Sequence, residues 1–431
     1  MAEKLTAPRG TEDVLPDNTG RWQYAEGILR RTARDFGFQE IRFPTFEHTE
    51  LFLRGIGDTT DVVQKEMNTF ADKAGRSITL RPEGTASVVR ALVEHSLDKQ
   101  GLPVKVYYIA PNFRYEKPQA GRYREHHQFG VECFGADSPA ADAEVIALAD
   151  TYLKRLGITG VTLLVNSIGC RTCRPAYHAA LLAYFEQHAD KLCPTCLDRM
   201  RRNPLRILDC KSPVCGEVVR DAPVYTSFLC EGCTAHHSAL KEHLDAMGIA
   251  YQDAPRLVRG LDYYTNTVFE FVSDALGAQS AVCAGGRYNH LVEELGGPPL
   301  PGLGFGSGIE RLLLVMEAKG VSFPPQRECE LFLCAAGEAA AKRVSVLCHA
   351  LRQRGVAASF DLLGRSVKAQ MKTADRQKAR FTMVVGDDEL CIGTGKLKDM
   401  DSGLIQDVAL DEESLSRAIS CAPDGQDKGE F

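Results

Sequence analysis

Three arginines stand in settings that suit the grip of a polyphosphate. Arg114 lies in Phe113-Arg114-Tyr115-Glu116, ahead of Gly121-Arg122-Tyr123-Arg124 and Gln128-Phe129-Gly130-Val131-Glu132. The order reads as strand, basic loop, strand, which would turn Arg114, Gln128 and Glu132 inward and leave Arg122 and Arg124 at a solvated tip. An ordinary charged hairpin would account for any one of these arginines, but together they suggest more: a guanidinium on a strand can hold phosphate bidentately, and a loop with Lys117, Arg122 and Arg124 suits a polyanion. Arg259 belongs to Leu257-Val258-Arg259-Gly260-Leu261-Asp262-Tyr263-Tyr264, a charged and aromatic cluster entering a strand, although a helix cap with core tyrosines has the same composition. Arg311 opens a helix after Gly302-Leu303-Gly304-Phe305-Gly306-Ser307-Gly308, and Ala284-Gly285-Gly286-Arg287-Tyr288 stands just upstream. Glycine at alternate positions weakens a strand unless a ligand or backbone comes close. Neither a Lys-Ser/Thr ending nor a flanking βαβ unit accompanies these glycines, so the nucleotide loops of the dinucleotide and Walker kinds do not fit.

Cysteine chemistry is concentrated elsewhere. Of the 15 cysteines, 8 fall between Cys170 and Cys233. An odd count in a chain large enough to bury a core fits reduced thiols better than a disulfide framework. Cys170-x-x-Cys173, Cys193-x-x-Cys196 and Cys230-x-x-Cys233, with Cys210 and Cys215, offer more thiolates than one tetrahedral zinc takes. Cys193, Cys196, Cys230 and Cys233 are the candidate ligands of a structural zinc, with buried free thiols as the alternative.

The elements that must position these residues follow from apolar periodicity. Arg21 to Phe36 is expected to be a helix stopped by Gly37, and Ile41-Arg42-Phe43-Pro44 a strand. Ser77 to Leu80, Val104 to Ala110, Gln128 to Phe134, Val268 to Val272 and Val282 to Ala284 read as further strands, and Ile309 to Ala318 as a helix. The expected fold class is α+β, an antiparallel sheet with flanking helices, interrupted by a helical insertion from about Leu163 to Pro255. Pro324-Pro325-Gln326-Arg327 reads as a linker separating a first domain, 1–323, from a second, 328–431. Strand (331–335), helix (339–352), strand (357–360), helix (367–378) and strand (381–385) then alternate as in a small α/β domain, before a polar end, Ala422 to Phe431, that is expected to fray.

Bulk properties narrow the functional class. The chain has 431 residues, 44% apolar and 25% charged, with 51 basic and 57 acidic side chains giving a net −6. That balance excludes disorder and a surface coated in nucleic acid, so any RNA contact must be regional. Such a region exists: Lys342 to Lys398 carries 12 basic and 5 acidic residues, a local +7, whereas 2 basic and 9 acidic residues follow from Asp399 onward. Arg365, Lys368, Lys372 and Arg376 recur at three- and four-residue steps, forming either one stripe for an RNA loop or a solvated helix face. No apolar run approaches a membrane span and no apolar segment of secretory type stands near Met1, so a cytoplasmic protein without membrane contact is expected.

Taken together, these segments resemble a class II aminoacyl-tRNA synthetase. Gly37 to Pro44, Phe113 to Glu116 and Gly304 to Arg311 look like the three class signatures. Arg259-Gly260-Leu261-Asp262-Tyr263-Tyr264-Thr265 and Leu80-Arg81-Pro82-Glu83-Gly84-Thr85-Ala86 are similar to the histidyl-tRNA synthetase family, as is Arg9-Gly10-Thr11-Glu12-Asp13. The resemblance runs from about Ala7 to Leu410. It implies a histidine–tRNA ligase, which joins L-histidine and ATP into histidyl-adenylate and pyrophosphate and then transfers histidine to the 3′ end of tRNA(His), with Mg2+ accompanying ATP. It further implies that Arg114 with Glu116 and Arg311 bind ATP, Arg114 at the α-phosphate and Arg311 at the γ-phosphate. Arg259 would meet the α-phosphate and the histidine carboxylate from the opposite side. Glu83, Thr85 and Gln128 would accept the α-ammonium, Glu132 and Tyr264 would read the two imidazole nitrogens, and Tyr263 and Tyr288 would complete the histidine pocket. Gln119, Arg122 and Arg124, with Arg365, Lys368, Lys372 and Arg376 on an anticodon-binding domain, would contact tRNA. The insertion, with Arg199, Arg201, Arg202 and Arg206, would lie near the acceptor stem. A homodimer is implied through the helix 21–36 and Phe43-Pro44, whose apolar face a single chain would expose. Asn289 departs from the family, where Asp is expected. A silent regulator of a phosphoribosyltransferase shares the fold but usually lacks the C-terminal domain and the ATP and RNA contacts, whereas Arg114, Arg259 and Arg311 are all kept here. A synthetase for proline, threonine or glycine would leave Arg259 to Thr265 unexplained.

Overall fold

The computed structural model describes residues 4–57, 60–210, 212–276, 281–324 and 329–420. The chain divides into two compact units, Met1–Phe323 and Pro324–Phe431. Most of the expected linker, 325–327, and the polar end, 422–431, lie outside the described residues.

The first unit is built on an eight-stranded sheet, in the order Gln39–Glu40, Val104–Phe113, Glu125–Phe134, Gly302–Gly308, Ala281–Arg287, Thr265–Val272, Thr162–Ser167, Gln252–Asp253. The two outermost pairs are parallel and the inner pairs antiparallel. Side chains alternate across a strand, and this alternation separates core from site. On Glu125–Phe134 the residues Phe129, Val131 and Cys133 join one core with Phe269, Phe271, Leu303 and Phe305. Helices Pro16–Asp35, Pro139–Arg155 and Ile309–Ala318 cover that face through Leu29, Ile146, Leu153 and Leu312. Gln128, Gly130 and Glu132 therefore point to the other face. On the helix side Arg287, paired across strands with the core residue Leu303, is wholly buried, donating to both Asp142 oxygens and to the carbonyls of Ala136 and Ser138.

Several expectations change. The helix starts at Pro16 rather than Arg21, since proline suits a first helical turn, and it ends at Asp35. Its apolar residues Ala25, Ile28, Leu29 and Ala33 are buried in this chain's own core, so they expose no face for a partner. The strand expected over Ile41–Pro44 is not formed; the strand there is Gln39–Glu40, which ends just before it. Beyond it Pro44 has no N–H to donate, and the buried Arg81 takes over by donating to the carbonyls of Phe43, Pro44 and Pro111. A separate three-stranded sheet follows, in the order Phe46–His48, Ser77–Leu80, Asn68–Ala71. The insertion is narrower than 163–255, because Thr162–Ser167 and Gln252–Asp253 are strands of the main sheet. The excursion between them is helical: Arg174–Gln187, Pro194–Arg202, Pro213–Arg220 and Glu231–Ala246.

The second unit has a five-stranded sheet, in the order Ala358–Phe360, Leu331–Ala335, Phe381–Val385, Thr394–Asp399, Ile405–Ala409. Its first three strands are parallel, with crossover helices Glu338–Gln353 and Val367–Arg376, as the alternating pattern predicts. Thr394–Asp399 and Ile405–Ala409 add an antiparallel edge that the sequence reading did not anticipate.

Candidate active site

The face opposite the helices holds a cavity lined by Arg114, Glu116, Arg259 and Arg311, by Glu83, Thr85 and Gln128, and by Tyr263, Tyr264 and Tyr288. Ten of the residues singled out from sequence thus meet in one place, although they come from segments as far apart as 83 and 311. Glycine makes room for them. A Cβ on Gly302 would meet the Tyr288 ring at 2.4 Å, one on Gly304 would meet Glu132 Oε2 at 2.2 Å, and one on Gly306 would meet Gln128 Nε2 at 1.9 Å. The alternate glycines of Gly302–Gly308 are therefore the floor on which neighbouring strands lay their polar side chains.

Glu83 is buried at the entry of helix Thr85–Glu94, where its carboxylate accepts the amides of Thr85 and Ala86 at 2.8 Å each. Burial raises its pKa against the pull of those amides. Thr85 Oγ1 donates to Glu132 Oε1 at 2.7 Å, and the Tyr288 hydroxyl donates to Glu132 Oε2. Glu132 is not among the residues lining the cavity; it stands behind Thr85 and Tyr288 with both oxygens engaged. Burial pushes it up to about 8, against the two hydrogen bonds that favour the ionised form. Each carboxylate oxygen can accept twice, so a further donor can still be received. Gln128 Oε1 accepts from Asn112 Nδ2 at 2.7 Å and from the Tyr108 hydroxyl at 3.3 Å, which fixes the amide's orientation.

The arginines are placed to attract anions. The Arg114 side chain is anchored by Nε, which donates to the Pro82 carbonyl at 2.7 Å. Arg259 reaches Glu270 Oε1 at 3.4 Å and stands 5.6 Å over the Tyr264 ring, while its buried Nε has no hydrogen-bond partner among the described residues. Burial works against its charge, yet Tyr264 and Glu270 hold its pKa above the ordinary value. Burial lowers that of Arg311, and the neighbouring Arg122 adds to the effect. Two cations lining one cavity close enough to feel each other's charge favour a bound polyanion.

Arg122 is therefore not at a solvated tip. It lines the cavity and pairs with Glu116, whose charge draws the loop inward. Arg124 is likewise packed, its guanidinium 3.7 Å from the Tyr115 ring centroid and its amide bonded to the Gly10 carbonyl. Gln119 is exposed in the intervening turn, held by backbone bonds to Arg122. In the insertion, Arg199 donates to Asp61 at 2.7 Å and Arg206 to Asp262 at 2.9 Å, which leaves only Arg201 and Arg202 of that group exposed. In the second unit Lys368, Lys372 and Arg376 are exposed on helix Val367–Arg376, whereas Arg365 precedes the helix and is held by Asp361. The stripe therefore has three members rather than four. The Asn289 backbone N–H donates to Thr265 Oγ1 at 3.2 Å, and its buried side-chain Oδ1 finds no partner among the described residues.

Sequence reasoning missed Tyr108, His126, Glu270 and Glu310, which also line the cavity. Burial, with Arg114 and His127 adding to it, brings His126 down to about 3, so this imidazole is neutral at pH 7. Glu310 accepts the backbone amide of His127 at 2.7 Å and faces its Nδ1 at 3.0 Å, a contact that raises the His127 pKa. Its place between Ile309 and Arg311 was the available signal. The four zinc candidates do not come together: Cys193 and Cys196 cluster with Cys210 and Cys215, and Cys230 and Cys233 with Cys170 and Cys173. Spacing along the chain does not say which pair of cysteines folds onto which.

Comparison with known proteins accords with this geometry. The family model described as histidyl-tRNA synthetase matches residues 10–173 and 222–312, and that of an anticodon binding domain matches 330–414. A curated histidine–tRNA ligase of Caldanaerobacter subterraneus is 51% identical over 413 residues, covering 96% of this chain and 99% of its own. That of Halothermothrix orenii is 52% identical over 399 residues, covering 93% and 95%. Among solved structures, the apo histidyl-tRNA synthetase of S. aureus superposes with a TM-score of 0.82 at 38% identity, covering 96% of this chain and 100% of that one.

Proposed function

From the premise that this chain belongs to the histidyl-tRNA synthetase family, we propose how its own side chains divide the family's reaction. The protein is a histidine–tRNA ligase, which activates L-histidine with ATP and passes it to tRNA. The observation that carries the division of labour is the meeting of Arg114, Arg259 and Arg311 around one cavity that Glu83, Thr85 and three tyrosines also line.

The histidine carboxylate is the nucleophile, so the protein has to neutralise charge rather than supply an attacking group. As the carboxylate oxygen bonds to the α-phosphorus, pyrophosphate leaves. Arg114 and Arg259 flank the phosphorus, and the partnerless Nε of Arg259 supplies a donor for the growing negative charge. Arg311 and Arg122 hold the outer phosphates. Glu83, Thr85 and Gln128 orient the α-ammonium, with Tyr263, Tyr264 and Tyr288 around the imidazole. Glu132 acts on the ring from behind Thr85 and Tyr288. An analogue without ring nitrogens would leave the polar groups that Glu132 orients, the Thr85 and Tyr288 hydroxyls, facing an apolar ring, at a cost of about 1 to 3 kcal/mol.

Glu116, Glu270 and Glu310 bring hard oxygen donors to the same cavity, the ligand type Mg2+ takes together with substrate phosphates. Bound there, Mg2+ would offset triphosphate charge. Lys368, Lys372 and Arg376 present three exposed cations to the anticodon region. A homodimer is supported not by the first helix but by Phe46, Leu53 and Phe70, which are 55%, 43% and 47% exposed around the small sheet. No described helix is long and apolar enough to cross a membrane, and a reduced, cytoplasmic setting suits the free cysteines.

The test is histidine-dependent pyrophosphate exchange. Arg259→His should lower the exchange rate at saturating histidine by at least about 100-fold while changing histidine binding far less. A variant with normal turnover and only a raised KM for histidine would contradict the role given to Arg259.

A further inference from the structure

We propose that the helical excursion carries two structural zinc ions, one held by Cys170, Cys173, Cys230 and Cys233 and the other by Cys193, Cys196, Cys210 and Cys215. Within each set all four Sγ atoms lie within 4.8 Å of one another. Zinc–sulfur bonds of about 2.3 Å at tetrahedral angles put neighbouring sulfurs about 3.8 Å apart. The Cys170–Cys173, Cys170–Cys230 and Cys193–Cys210 pairs stand at 3.7, 3.9 and 3.9 Å. Disulfides would need about 2.05 Å, so the sulfurs are spaced for a shared ligand and not for one another.

The surroundings point the same way. Cys173, Cys193 and Cys230 stand at the entries of helices Arg174–Gln187, Pro194–Arg202 and Glu231–Ala246, and Cys196, Cys215 and Cys233 lie in first helical turns. Donors are aimed at sulfur: the Cys230 amide to Cys173 Sγ at 3.1 Å, the Cys193 amide to Cys215 Sγ at 3.2 Å, and Asn266 Nδ2 to Cys233 Sγ at 3.3 Å. Such bonds are the outer-shell support of thiolate ligands. Four soft sulfurs at tetrahedral spacing select zinc or iron, and zinc is favoured because the ligase reaction moves no electrons. The excursion's helices are 14, 9, 8 and 16 residues long and pack on a small core that includes Tyr177, Leu181, Phe185 and Ile207, to which two ions would add cross-links between helix entries.

Each ion would reach the active site through residues of its own segment. The first set is followed by Arg174, whose Nη2 donates to the Tyr264 carbonyl at 2.7 Å. The second closes the segment carrying Asn203 and Arg206, which donate to Asp262 Oδ1 at 3.1 and 2.9 Å. Both ions would thereby brace the loop that presents Arg259 and Tyr264.

Elemental analysis of the full chain, purified without chelator, should give two zinc ions per chain. Cys196→Ser and Cys233→Ser should each leave one, and the double variant none. Because such variants can fail to fold, the unmodified protein is also treated with N-ethylmaleimide and its modified cysteines located by mass spectrometry. The exposed Cys391 should react at once, and the eight clustered cysteines only after a zinc chelator is added. Iron in place of zinc, one ion or none per chain, or eight cysteines that react equally before and after chelation would overturn the assignment.

Discussion

Glu132→Gln should make the protein more stable and a worse enzyme, with a stability gain that depends on pH. Burial holds the Glu132 carboxyl at about 8 rather than its ordinary 4.5. Between those values the folded chain keeps a proton that the unfolded chain releases, so folding stability falls as pH rises, by about 1.4 kcal/mol per pH step. The penalty is absent below about pH 4.5, about 3 kcal/mol at pH 7, and levels off at about 5 kcal/mol above pH 8. Glutamine has no proton to lose. Its carbonyl can still accept from Thr85 Oγ1, and its amide can donate to the Tyr288 hydroxyl, so both contacts on Glu132 are kept in kind. The chain's single tryptophan, Trp22, lies in helix Pro16–Asp35, with its ring centroid 5.0 Å from that of His127, and reports on the catalytic unit alone. Urea unfolding followed by Trp22 fluorescence should show parent and variant nearly equal near pH 4.5 and separated by at least about 2 kcal/mol at pH 8, with the variant ahead. Histidine-dependent exchange at pH 7.5 should meanwhile fall by about 100-fold or more in kcat/KM. A stability difference that is the same at pH 5 and pH 8, or a variant that is the weaker at pH 8, would refute the reasoning.

Removing the chain after Phe323 should leave histidine-dependent pyrophosphate exchange largely intact while aminoacylation falls, because every proposed ATP and histidine contact lies in the first unit; equal charging of tRNA by the truncated and full chains would count against this. Replacing Lys368, Lys372 and Arg376 together by glutamine should weaken tRNA binding and reduce the steepness of its salt dependence by about 2 to 3 in the log–log slope, as measured by filter binding from low to moderate salt. Arg365→Gln should change that slope little, since Asp361 already engages it. Sedimentation at micromolar concentration should show a dimer, and Phe46→Lys with Phe70→Lys should shift it toward the 47.3 kDa monomer; an active monomer in the parent protein would remove the proposal.

The catalytic cavity was legible because its residues are unusual for their positions. Arginine and glutamate beside alternating glycines and paired tyrosines have little reason to occur in a plain core strand. The strand-by-strand pattern of the second unit was similarly open, since each parallel strand is a short apolar run between helices. Partners chosen by tertiary neighbours were less accessible. Arg122 turns inward because Glu116 meets it, Arg199 because Asp61 does, and a count of charges along the chain carries neither fact. Ile41–Pro44 has the composition of a strand, but its hydrogen bonds are completed by Arg81, some forty positions later. The cysteine sets were misread for the same reason: three CxxC pairs admit several pairings, and the fold chooses among them.

The excursion and the catalytic loop meet at Asp262 and Tyr264. Asp262, in the segment that names the amino acid from sequence, receives Asn203 and Arg206 from the excursion, while its neighbour Tyr264 gives its carbonyl to Arg174. Gly57 is pressed against the same side chain, where a Cβ would come 2.7 Å from Asp262 Oδ2, and its φ of +95° suits glycine alone. Asp262 is thus enclosed between the helix Thr49–Ile56 and the excursion, which fixes the backbone from which Arg259 and Tyr264 project. An arginine expected to wait for RNA instead spends its charge on a carboxylate inside the protein. It follows that the excursion acts on amino-acid activation even when no tRNA is bound: loosening Arg206 should disturb histidine before it disturbs RNA.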